Sequence, residues 1–126
     1  MLRFEAALDV AAVAVKLNEE FGLGLDLGRV AFIRSRGSRS RAVARTLGTP
    51  SQWRFVLNPG VLYVVEVIAE RFDHLDCAGR AWVVLHELLH IPPSMSGGLR
   101  NHSSPAFKAM NRMRRRVEAM CRDGRV

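Results

Sequence analysis

The segment from Cys77 to Ile91, CAGRAWVVLHELLHI, constrains this chain more than any other, because it is apolar on nearly every side and ends against Pro92-Pro93. Asp76 offers an N-cap oxygen, and proline can neither donate to a continuing helix nor fit inside one, so the spacing predicts a helix over 77–91. A helix that is apolar all round is stable only inside a domain. Its late polar residues, His86, Glu87 and His90, therefore need a reason to be there, since an uncompensated buried carboxylate is costly.

The string His86-Glu87-Leu88-Leu89-His90 supplies one. Imidazoles at i and i+4 project from the same helix face and can reach one metal ion, with the glutamate beside them. A catalytic zinc ion takes three protein ligands plus a water, whose pKa it lowers to about 7, and a neighbouring carboxylate can accept the water's proton as general base. The competing reading is a pair of hydrogen-bonded core histidines. A third ligand must come from His74, His102 or the acids downstream. His102 follows the pair by twelve positions, across a loop holding Pro92, Pro93, Gly97 and Gly98 that can turn the chain back. Glu118 is the rival third ligand, and His74 reads as a surface or capping residue. Cys77 and Cys121, 44 positions apart and without a CxxC spacing, read as small apolar residues.

With 126 residues, 48% of them apolar, the chain suits one domain over 1–126 whose core needs no disulfide. Residues 2–21 carry an amphipathic helix pattern closed by Gly22 and Gly24. RVAFIR at 29–34 reads as a strand, and 41–47 as a second extended piece. QWRFVL at 52–57 and VLYVVEVIA at 61–69 read as a hairpin around Asn58-Pro59-Gly60, with a helix over 61–72 as the alternative. From Pro105 to Arg122, Phe107, Met110, Met113, Val117 and Met120 share a helix face. Helices and strands mixed in this way make an α+β domain.

No run approaches the ~18 apolar residues that cross a bilayer. The cysteine spacing and the lack of a signal-peptide pattern point to the cytoplasm, with no membrane partner. The net charge is +7, and 17 of the 19 cations are arginine. Residues 34–65 hold six arginines and no acid, while 99–126 hold eight cations against two acids. Such blocks make nucleic acid a candidate partner, although charge runs usually form a solvated face. Nothing in the pattern fixes the oligomeric state.

HELLH followed by a loop and then His102-Ser-Ser-Pro-Ala-Phe107 resembles the SprT-like zincin arrangement. The longer run VVLHELLHIPPSMSGGLRNH, with YVVEVIAERFDHL upstream, is similar to the phage and archaeal metallopeptidase family across roughly 29–110. The resemblance implies a minimal zincin fold: an N-terminal helix, a small mostly antiparallel sheet, the metal-binding helix and a C-terminal helix. It further implies one zinc ion on His86, His90 and His102, Glu87 as catalytic base, and a protein or peptide substrate. Metzincins are excluded, because Pro93 and Ser96 occupy the glycine and third-histidine positions of their motif.

Overall fold

A computed structural model of the chain describes residues 1–57 and 59–126. In chain order these form β1 (Arg3–Ala6), α1 (Leu8–Glu20), a 3-10 turn at Leu27–Arg29, β2 (Val30–Arg36), β3 (Ala44–Gly48) and α2 (Ser51–Leu57). There follow β4 (Tyr63–Ile68), α3 (Ala69–Phe72), α4 (Cys77–Leu89), α5 (Pro105–Met110), a 3-10 turn at Asn111–Met113 and α6 (Arg114–Arg122). The four strands make one sheet in the order β1-β2-β4-β3. β1 and β3 run antiparallel to their neighbours, whereas β2 and β4 are parallel, from Val30↔Tyr63 to Ser35↔Ile68. The fold is α+β with a mostly antiparallel sheet, as the resemblance implies.

β4 is rich in β-branched residues and paired on both sides, which suits a central strand. Tyr63, Val65 and Val67 alternate onto one face and are wholly buried. Val10, Ala14 and Leu17 of α1 join them, as do Val84, Leu85 and Leu88 of α4, in one core. α4 touches β3, α1, α5 and α6. Burial on several sides is what its apolar composition required. Asp76 caps it, the carboxylate accepting from the Gly79 amide at 2.8 Å.

Three expectations are corrected. Residues 52–57 are helical, because both edges of β4 are already taken by β2 and β3 and no partner is left for a strand there; Asn58, in the expected hairpin turn, lies outside the described residues. The first residues of the expected N-terminal helix instead form β1, which pairs with β2 in a register that sets Glu5 opposite Arg34 and lets Arg36 Nη2 reach Glu5 Oε1 at 2.9 Å. Cys77 and Cys121 are not separate apolar residues but a disulfide that ties the start of α4 to α6. That pairing removes cysteine spacing as an argument about compartment.

Three arginines of the first block, Arg34, Arg36 and Arg45, are ion-paired within the fold. Arg34 is buried between Asp9 at 2.8 Å and Asp73 at 2.9 Å, and Arg45 pairs with the buried Glu66 at 2.9 Å. Among the described residues no helix is long and apolar enough to cross a membrane.

Candidate metal centre

α4 carries His86, and His90, one turn on, is its C-cap; the chain then breaks at Pro92 and returns through Gly97 and Gly98. Two features hold the return path. Gly97, at φ +103°, takes a backbone conformation that disfavours side chains, and its carbonyl passes so close to Gly48 of β3 that a Cβ there would lie 2.8 Å from the oxygen. The buried Tyr63 hydroxyl accepts from the Gly97 amide and donates to the Gly98 carbonyl, each at 2.8 Å. Tyr63 thus anchors the loop, a role no pattern in the sequence indicates.

Arg100 completes the return. Its amide donates to the His90 carbonyl at 2.7 Å, and its guanidinium donates to the Leu89 and Ile91 carbonyls at 2.8 and 3.0 Å. These are acceptors that a helix end leaves without an internal partner. Its own carbonyl lies 2.7 Å from His90 Nδ1. A carbonyl only accepts, so Nδ1 carries the proton and His90 Nε2 keeps a free lone pair.

Two residues beyond Arg100, His102 meets the pair. The ring centroids lie 5.1 Å apart for His86 and His90, 5.0 Å for His86 and His102, and 4.7 Å for His90 and His102. Phe107, from the first helix after the loop, contacts all three rings at 4.7–5.1 Å. One nitrogen from each histidine falls within 4.8 Å of the others, a grouping that could hold a metal ion. His86 Nε2 and His102 Nε2 stand 3.0 Å apart, close to the ~3.3 Å that two imidazoles bound tetrahedrally at 2.0–2.1 Å would show. Burial, and then the neighbouring His90 and His102, hold the His86 ring below its ordinary pKa and favour the neutral form that ligates metal. Glu118 and His74 are exposed and stand outside this cluster.

Glu87 is only 6% exposed. Thr46 of β3 places its hydroxyl 2.9 Å from Glu87 Oε1 and 3.1 Å from the Glu87 carbonyl. Burial pushes the Glu87 carboxyl above the ordinary range, opposed by the Thr46 hydrogen bond and by His90 and His102. A cleft of about 380 Å³ opens over these groups, walled by Ala44 and Thr46 on one side and Leu99 and Asn101 on the other. A basic carboxylate beside three convergent imidazoles can move protons next to a Lewis acid. Thr46 and Arg100 both escape sequence reasoning, since the first depends on a strand-to-helix contact and the second sits unmarked in a basic block.

A family model described as "Putative phage metallopeptidase" matches residues 2–125. No curated protein and no solved structure matches the chain.

Proposed function

The chain belongs to the family described as putative phage metallopeptidases, and from that premise we propose that it is a zinc-dependent peptidase with His86, His90 and His102 as ligands and Glu87 as general base. The observation that carries the proposal is the convergence of three imidazole nitrogens within 4.8 Å, next to a buried carboxylate. A bound zinc ion would supply a Lewis acid for the scissile carbonyl and a water acidified to near neutrality. The donor set fits zinc, being three imidazoles with one ring fixed in the ligating tautomer by the Arg100 carbonyl.

The chain's own residues do the rest. Thr46 occupies Glu87 Oε1, which leaves Oε2 to accept a proton from the attacking water and return it to the leaving amine nitrogen. Burial raises the basicity of that carboxylate. Among the described residues β3 pairs with β4 alone, so its outer edge keeps backbone donors and acceptors with which an extended peptide can pair across the cleft.

The test is Glu87→Gln. The variant should keep its zinc and lose casein hydrolysis by roughly 10²–10⁴-fold, the usual worth of a positioned base. Full activity in that variant would contradict the assignment.

A further inference from the structure

Beside the metal cleft lies a second cavity of about 320 Å³, reaching towards the first turns of α4. Val43 and Ala44 form one wall and Trp82 and Val83 the other, while His86 and Glu87 close the end shared with the cleft. Apart from those two site residues its lining is apolar. Arg114 lies 4.9 Å from the centre of the Trp82 ring, a cation–π contact that steadies this wall.

We propose that this cavity selects the substrate: it receives the side chain of a residue flanking the scissile bond and favours a large apolar one, leucine, methionine or phenylalanine. The inference rests on the peptidase reading above and adds the substrate class to it. A peptide paired along β3 passes Ala44 and Thr46 in turn, so a bond held beside Glu87 brings a neighbouring side chain to Ala44. That side chain gains by leaving water, whereas an acidic one would lose its hydration and face the Glu87 carboxylate at the closed end. Such residues are mostly buried in folded proteins. The favoured substrates are therefore unfolded or extended segments that expose them.

The test uses the zinc-loaded full chain and a series of peptide hydroxamates that differ only in the side chain next to the zinc-binding group, glycine, aspartate, leucine or phenylalanine, with affinities read by calorimetry. The leucine and phenylalanine probes should bind at least about tenfold more tightly than glycine, with aspartate weakest, as expected when several methylenes enter an apolar pocket. Val83→Phe, which fills the cavity from a wall the metal cleft does not share, should bring the leucine-to-glycine ratio down to about threefold or less, while acetohydroxamate, lacking a side chain, binds both proteins alike. Trp82→Ala, which removes a wall from a half-exposed position, should weaken the phenylalanine probe most. Equal affinities across the wild-type series, or variants that weaken every probe alike, would overturn the inference. Failure of the peptidase reading looks different: either the chain holds no zinc before any probe is added, and both fall, or the ranking appears while no peptide is cut.

Discussion

Under the proposed reading, Glu87 and Thr46 share one task. A carboxylate that is 6% exposed needs a hydrogen-bond donor, and the Thr46 hydroxyl at 2.9 Å supplies one while fixing the side chain's orientation. Thr46→Val keeps the shape and removes the donor. It should leave zinc binding and KM near wild type and lower kcat by about tenfold, with Thr46→Ser restoring most of the loss. A changed KM with unchanged kcat would mean that Thr46 serves the strand and not the base. His86, Glu87 and His90 were legible from helical spacing alone, because i and i+4 fix a shared face whatever surrounds the helix. Thr46 was not legible, since it stands 41 positions from Glu87 and meets it only when β3 packs on α4.

At the scale of elements, the end of α4 and the loop after it behave as one unit. The guanidinium of Arg100 closes two orphan carbonyls of the helix end, and its backbone orients His90 two residues before His102 begins the approach to the site. Arg100→Ala should weaken zinc binding by about 10–100-fold in competition with a chelator, the usual effect of losing support behind a ligand. Wild-type affinity in that variant would show that Tyr63 and the glycines hold the loop unaided. α4 was readable because its cap, composition and proline stop agree. Residues 52–57 were not, because β-branched and aromatic content marks a strand only where an edge is free, and β4 offers none. β1 was hidden for the opposite reason: its four residues adjoin a helical pattern and become a strand only by pairing with β2.

Across the whole molecule, α4 is fastened at both ends, by Arg100 at the metal end and by the Cys77–Cys121 bond at the other. That bond closes a separation of 44 residues, which the chain-entropy relation values at about 4 kcal/mol. Reduction should lower Tm by on the order of 10 °C. Zinc should stay bound at 25 °C, because Cys77 precedes His86 by nine residues, about 13 Å of helix. An unchanged Tm would mean that packing of α4 against α6 suffices. The pairing was invisible in the sequence because two cysteines 44 positions apart meet only through the docking of α6. Part of the first arginine block likewise changes meaning once folded, because Arg34, Arg36 and Arg45 are ion-paired within the domain.

The most direct measurement is the metal content of the purified full chain by elemental mass spectrometry, wild type beside His102→Ala, after weakly held ions are removed. The three-histidine site predicts about one zinc per wild-type chain and little or none in the variant, since catalytic zinc is held by three protein ligands. Absence of metal from the wild type even after reconstitution with zinc, or equal zinc in both proteins, would contradict it.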